Sequence, residues 1–176
     1  MSDPRYPIGK LTIPGEITPV HREGWIGEIA DAPGQLRTAV HGLGEAQFDT
    51  PYRKGGWTVR QVVHHLPDSH LNAYVRFKLA LTEDNPVVKP YQEARWAELP
   101  DTRDTTIGVS LVLLEALHRR WVVLLRAMAE ADWGRTFFHP EQQKSLRLDR
   151  VLAMYAWHGR HHVGHITALR DRMGWH

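Results

Sequence analysis

Cysteine is absent from all 176 residues of the chain. The protein therefore cannot form a disulfide, bind a metal through thiolate sulfur or use a cysteine nucleophile. Any metal site must be built from histidine, aspartate, glutamate or carbonyl oxygen. At this length a single domain, residues 1–176, buries enough apolar surface to fold without disulfides or a structural metal.

Long apolar runs and blocks of basic residues are also missing. No stretch approaches the roughly 20 consecutive apolar residues of a membrane span, and the first residues contain no apolar signal region. Lys plus Arg total 22 and Asp plus Glu total 20, with no basic arm of the kind that binds nucleic acid. We expect a soluble, cytoplasmic protein that binds neither membranes nor nucleic acid.

Several catalytic motifs are missing as well. The chain has no His-Glu-x-x-His zinc motif, no Gly-x-Ser-x-Gly nucleophile turn and no phosphate-binding glycine loop. Glu115 and His118 match the Glu-x-x-His element of di-iron bundles, but such bundles need two of these elements and further glutamates. We interpret this match as a coincidence.

Four segments carry apolar residues at helical spacing. Thr18 with Pro19 is typical of a helix start, and Pro33 is expected to kink or break the helix that follows. Thr58 and Gln61 form a capping box that begins the second helix. The third segment is so apolar that we expect nearly all of it in the core. The predicted helices cover about residues 19–42, 58–82, 107–131 and 148–173.

The connections complete the predicted architecture. Prolines and glycines in residues 4–19 favour an extended arm lying on the body of the protein. Residues 84–105 form a long loop or a short helix between loops, and serve as either a lid or a surface crossover. Residues 138–146 either form a short hairpin or link two helices. We predict an all-α, up-down four-helix bundle, a class that builds metal sites from facing helices.

The last predicted helix contains the strongest chemical signal. His158 and His162 are one turn apart, a spacing at which two side chains reach a single ion, while His161 falls on the far side of the helix. Neutral imidazole is the commonest metal ligand in proteins. The alternative is that these are hydrogen-bonded core histidines without a metal.

A third ligand is needed, and the second helix has the only other cluster of histidines. Its apolar periodicity does not choose among His64, His65 and His70, because a kink at Pro67 changes the phase between the two halves of the helix.

A family resemblance adds to this interpretation. The stretch from Trp57 to Leu66 with Asp68 after it, and the late His158-x-x-x-His162 helix, resemble the DinB-like superfamily and most closely its YfiT branch. The resemblance covers nearly the whole chain and implies a four-helix bundle, usually a homodimer, with a divalent metal held by three histidines. Carried over by position, those ligands are His65, His158 and His162. Pro67 is the one visible departure from the family pattern.

The resemblance also implies an activity, that of a metal-dependent hydrolase acting on an unknown small molecule. Three neutral imidazoles leave the charge of the ion undiminished and a coordination position free. Zinc is the first choice and nickel the second. Asp68, three residues beyond His65, is the nearest carboxylate on its helix, and acts as general acid or base, orients a ligand or faces solvent. The alternatives are a metal-dependent thiol S-transferase and a non-catalytic metal-binding bundle, which a side chain such as Glu115 closing the site would favour.

Overall fold

The computed structural model describes residues 3–175, and four long helices dominate them. Three short helices and one hairpin occupy the connections, and a 3-10 turn at Glu130–Gly134 precedes the hairpin. The elements, in chain order, are α1 (Pro19–Val40), α2 (Glu45–Phe48), α3 (Val59–Thr82), α4 (Glu93–Trp96), α5 (Pro100–Asp104), α6 (Ile107–Arg126), β1 (Thr136–His139), β2 (Lys144–Arg147) and α7 (Leu148–Met173).

The predicted helix starts are confirmed in atomic detail. The Thr18 hydroxyl accepts a hydrogen bond from the His21 amide, and Pro19 occupies the first helical position. At α3 the Thr58 hydroxyl accepts from the Gln61 amide at 3.1 Å, while the Gln61 side-chain oxygen accepts from the Thr58 amide at 3.0 Å. These bonds satisfy backbone donors that have no partner inside the helix.

Both internal prolines lie within continuous helices. Pro33 is buried in α1 and Pro67 is buried in α3, and neither helix is interrupted there. The break that we considered for the first helix is therefore absent. Each proline still removes one backbone N–H, so the carbonyl four residues earlier loses its helical donor.

The third predicted helix differs from expectation in its length and in its burial. Helix α6 ends at Arg126 rather than near Ala131, because the Asp132 side chain accepts from the Ala129 amide at 2.9 Å and starts the 3-10 turn. The prediction that nearly all of it is core is wrong. Val112 and Val123 are 62% and 70% exposed, since the helix is apolar on more sides than the bundle covers.

The four long helices form the predicted four-helix bundle with a particular neighbour order. Helix α1 packs against α6 and α7, and α3 packs against the same two helices. Residues 41–58 and 127–147 are long connections, so helices that follow each other in the chain are not forced to lie side by side. This order brings α3 and α7, which carry the predicted histidines, into direct contact.

The connections are anchored to the bundle. Of the two alternatives for residues 138–146, the hairpin is the correct one, because β1 and β2 pair antiparallel just before α7. The start of the 84–105 segment is tied to this hairpin, since Phe138 donates its amide to Pro86 and accepts from the Val88 amide. That segment contains the two short helices α4 and α5 between loops; its role as a lid stays a prediction.

The predicted N-terminal arm lies along α7. The Trp157 indole donates to the Gly9 carbonyl at 3.3 Å. A Cβ atom on Gly164 would lie 2.9 Å from a methyl of Ile8 and 3.2 Å from Pro7, so only a glycine lets the arm approach this closely. The arm therefore covers the histidine-rich half of α7.

The core has an apolar cluster on each side of a polar layer. One cluster contains Phe77 and Trp121, and the other contains Leu36 and Ile166. On α3, α6 and α7 the residues between the two clusters include histidines, so imidazoles meet in the middle of the bundle.

Within residues 3–175 no helix is long and apolar enough to cross a membrane. The homodimer stays a prediction.

Candidate metal centre

Three imidazoles converge at the contact between α3 and α7. The His158 Nε2 atom lies 3.3 Å from the Nε2 atom of His65 and 3.2 Å from that of His162. One ligand nitrogen from each ring lies within 4.8 Å of the other two, and among the described residues no other trio of histidines or carboxylates meets this condition. The structure thus brings together the three histidines singled out from the sequence.

The spacing of these nitrogens fits a first-row divalent cation. With metal–nitrogen bonds of about 2.0–2.1 Å, two tetrahedral ligands lie about 3.3 Å apart. Both separations from His158 match this value. His65 and His162 are buried, while His158 is partly exposed, so the trio lies at the border between the core and a cavity.

Burial also prepares the rings to bind a cation. Desolvation lowers the pKa of His65 to about 4. It lowers the pKa of His158 and His162 well below the usual 6.5, and the neighbouring imidazoles add to the effect. The three rings are therefore neutral at pH 7, and a cation meets lone pairs that it does not have to deprotonate.

Other histidines near the trio have different partners. His64 lies 2.7 Å from the Ser110 hydroxyl on α6, so it does not join the trio. His161 does lie outside the trio, yet it is buried rather than solvent-facing, because the arm covers it and Trp157 stacks on it with ring centroids 4.2 Å apart. His70 lies behind the trio, with its Nε2 atom 3.1 Å from His158 Nδ1.

A cavity of about 480 Å³ lies over the three imidazoles. Two arginines line it, Arg5 from the arm and Arg53 from the segment before α3. The Nε atom of Arg53 is buried and lacks a hydrogen-bond partner, and the guanidinium lies 5.4 Å from the Tyr52 ring. The aromatic residues in the wall are Tyr6, Tyr52, Trp57 and Trp157.

The carboxylate in the cavity wall is not the one expected from the sequence. Glu93 of α4 lines the cavity, whereas Asp68 does not. Asp68 is half-buried on α3, where burial and the neighbouring Asp101 raise its pKa to about 6. Its catalytic role stays a prediction. Glu93 is distant in the chain from every histidine of the trio, so no spacing in the sequence links it to the site.

A second cavity, of about 510 Å³, lies on another side of His158. Its wall includes Arg76, Tyr155 and His139, and it shares Glu93 and His158 with the first cavity. The centre is therefore reached from two spaces. Glu115 lines neither of them and pairs instead with Arg37 and Arg119.

Comparisons with known proteins agree with the fold. A Bacillus mycoides (strain KBAB4) protein named "Putative metal-dependent hydrolase" is 55% identical over 175 residues, which cover 99% of this chain and 100% of that protein. A Bacillus thuringiensis subsp. konkukian (strain 97-27) protein with a name of the same form has the same identity and coverage.

A solved structure also has the fold of this chain. YfiT from Bacillus subtilis, described as "a probable metal-dependent hydrolase with an unusual four-helix bundle topology", superimposes with a TM-score of 0.95. The two sequences are 46% identical, and the match covers 98% of this chain and 99% of that one. The family model of the DinB superfamily matches residues 28–166, which include all three histidines. The resemblance drawn from the sequence is confirmed, and the chain belongs to the DinB superfamily.

Proposed function

We propose that this protein is a metal-dependent hydrolase in which His65, His158 and His162 bind one divalent cation. The proposal rests on one observation. The Nε2 atoms of three neutral imidazoles meet at the floor of a cavity. Three protein ligands leave at least one coordination position of the ion free for water or substrate. Catalytic metal sites have such a free position, whereas structural sites do not. The names of the relatives support the same activity.

The ligand set favours zinc, with nickel as the second choice. Imidazole suits both ions, and neither a thiolate nor a carboxylate belongs to the trio. A cation held there would supply Lewis-acid chemistry, which lowers the pKa of water from about 15.7 to roughly 7. Because the imidazoles are neutral, they leave the full charge of the ion available for this effect.

The surrounding side chains have separate tasks in this proposal. Arg5 and Arg53 bind an anionic group of the substrate, such as a carboxylate, at the cavity wall. Trp57, whose ring centroid lies 4.6 Å from that of His65, shields one side of the centre from water. Glu93 accepts the proton that the attacking water loses and returns it to the leaving group.

A metal-dependent thiol S-transferase is the second candidate. The observation that favours it is the pair of cavities meeting at His158, which gives room for two substrates on different sides of one centre. In that reaction the thiol loses its proton, and its sulfur bonds to an electrophilic carbon of the acceptor while a leaving group departs with the former bonding electrons. The third alternative, a non-catalytic bundle, gains no support from Glu115, which pairs elsewhere.

Metal-dependent turnover tests the proposal. The zinc-loaded protein is expected to hydrolyse members of a panel of p-nitrophenyl esters and anilides that carry or lack a carboxylate. Activity should disappear with a chelator, return with zinc and be higher for the carboxylate-bearing members. Glu93→Gln is expected to lose about 100-fold or more in kcat, as removal of a general base does, and Asp68→Asn serves as the comparison.

The outcome also separates the two enzyme candidates. Consumption of a low-molecular-weight thiol and an electrophile by the zinc-loaded protein, without hydrolysis of any ester or anilide, would support the transferase instead. Spectra of the cobalt-substituted protein should then change on addition of the thiol alone. Absence of both reactions at every loading would contradict both candidates.

A further inference from the structure

Two further imidazoles lie in line behind His158. His70 Nε2 lies 3.1 Å from His158 Nδ1, and His118 Nε2 lies 2.9 Å from His70 Nδ1. His118 Nδ1 lies 2.6 Å from the backbone carbonyl oxygen of Ile29. The line starts at α7, crosses α3 and α6, and ends on the backbone of α1, so all four long helices contribute to it.

The final acceptor exists because of a proline. In a helix the carbonyl of residue 29 accepts from the amide of residue 33, but Pro33 has no amide hydrogen. The Ile29 oxygen is thus left without its helical donor in the buried interior, where an unpaired carbonyl is unfavourable. The His118 ring supplies the missing hydrogen from α6.

This carbonyl fixes the protonation of the rings in turn. A carbonyl oxygen only accepts, so His118 Nδ1 must carry the hydrogen, and the Nε2 atom of the neutral ring is an acceptor. His70 then donates from Nδ1 to His118, and its own Nε2 becomes an acceptor. His158 donates from Nδ1 to His70, which leaves the His158 Nε2 lone pair facing the other two rings of the trio.

We propose that His70 and His118 are positioning residues, which hold His158 in the tautomer and orientation that metal binding requires. The inference rests on the metal centre of the proposed function, since it assigns a role toward that ion. Ligand histidines are commonly oriented by a partner on the second ring nitrogen, and loss of such a partner weakens metal binding by about 10–100-fold.

The composition of the line has two consequences. A carboxylate behind His158 would bring negative charge to the ion, whereas two neutral imidazoles orient the ligand without reducing the ion's charge. The line also ends on a carbonyl, which has no proton to give or take at neutral pH. It therefore orients His158 and does not conduct protons away from the centre.

His118 offers a matched pair of variants. His118→Phe keeps a flat ring but removes both hydrogen bonds, whereas His118→Gln keeps one N–H for the Ile29 carbonyl and one oxygen acceptor for His70. We expect His118→Phe to weaken zinc binding by about 10–100-fold and His118→Gln to stay within a few-fold of the parent. Zinc affinity is measured by competition with a chelator, on proteins whose circular dichroism shows the parent fold.

The tautomers provide a second readout that needs no variant. Long-range proton–nitrogen correlation spectra of the metal-free parent at pH 7 should show His118, His70 and His158 all protonated on Nδ1. Protonation of any of the three on Nε2 instead, or parent-like zinc affinity in a folded His118→Phe protein, would overturn the inference. If His118→Phe does not fold, the spectra decide. Because they are recorded without metal, failure of the hydrolase proposal leaves this result readable.

Discussion

Replacing His65 with alanine is expected to weaken zinc binding by more than about 100-fold, the upper end of what loss of an outer hydrogen bond causes. The reason is that His65 supplies the only ligand of the trio from α3, while His158 and His162 come from α7. His158→Ala should have an effect at least as large, because the Nε2 atom of His158 lies within 3.3 Å of both other nitrogens.

His161→Ala is the matched control for these variants. His161 is a buried histidine on the same helix, next to His162 in the chain, and it lines the same cavity. It lies outside the trio, so its loss should change zinc affinity by no more than a few-fold. Chelator competition measures the zinc affinity of each variant, and elemental analysis of the dialysed proteins measures how much zinc each one retains. Equal losses for His161→Ala and His65→Ala would mean that the trio is not the binding site.

Acid is expected to unfold the metal-free protein cooperatively, with a midpoint between about pH 4.5 and 6. Burial lowers the pKa of His65, His118 and His165 to about 4 from 6.5. Between those values the unfolded chain binds more protons than the folded one, so the free energy of unfolding decreases as the pH decreases. Burial and the neighbouring imidazoles also lower the pKa of His70, His158 and His162 well below 6.5.

The size of the effect follows from the number of rings. The six imidazoles named above act in the same direction, so the free energy of unfolding decreases steeply below pH 6, and a typical domain has only about 5–15 kcal/mol to lose. Asp68 acts in the opposite direction, since its pKa is raised to about 6 and protonation there favours the folded state. Protonation of Asp68 therefore offsets the effect of about one of the six histidines.

Far-UV circular dichroism against pH measures this transition. His118→Gln removes one of the six rings and should move the midpoint to lower pH. His41→Gln removes an exposed histidine instead and serves as the control, for which the midpoint should not move. Saturating zinc should move it to lower pH, because the ion binds only the deprotonated rings of the folded chain. A metal-free midpoint below pH 4 would contradict the prediction.

The helix starts were predictable because their causes are local. The reciprocal bonds between Thr58 and Gln61 depend on residues three apart, and the sequence shows both. The end of α6 was missed even though the bond from the Ala129 amide to the Asp132 side chain is equally local, because the apolar spacing continues past Arg126 to Met128 and hides it. The exposed valines of α6 were missed because an apolar pattern does not show which faces the neighbours cover.

The candidate metal-binding trio was only partly predictable from the residues alone. His158 and His162 are one helical turn apart, so their approach is a local property. The choice of His65 over His64 and His70 depended on family resemblance, because it is decided by the packing of α3 against α7. His64 meets Ser110 of α6 instead, and no spacing within α3 predicts that contact.

Sequence patterns could not predict the line of imidazoles behind His158. It joins residues 29, 70, 118 and 158, which lie on four helices, and its last acceptor depends on a missing amide at Pro33. In the sequence, Pro33 predicted a defect in the helix, and His118 matched an incomplete di-iron motif. The packed bundle gives both residues a different meaning, because the carbonyl freed by one is the partner of the other.

X-ray absorption spectroscopy of the zinc-loaded parent protein examines the proposed metal centre itself, since it reports the type, number and distance of the atoms bound to the ion. We expect one zinc per chain, with three imidazole nitrogens at about 2.0–2.1 Å and at least one further light atom from solvent. A shell with fewer than three imidazoles, or one filled by protein ligands with no exchangeable position, would contradict this expectation.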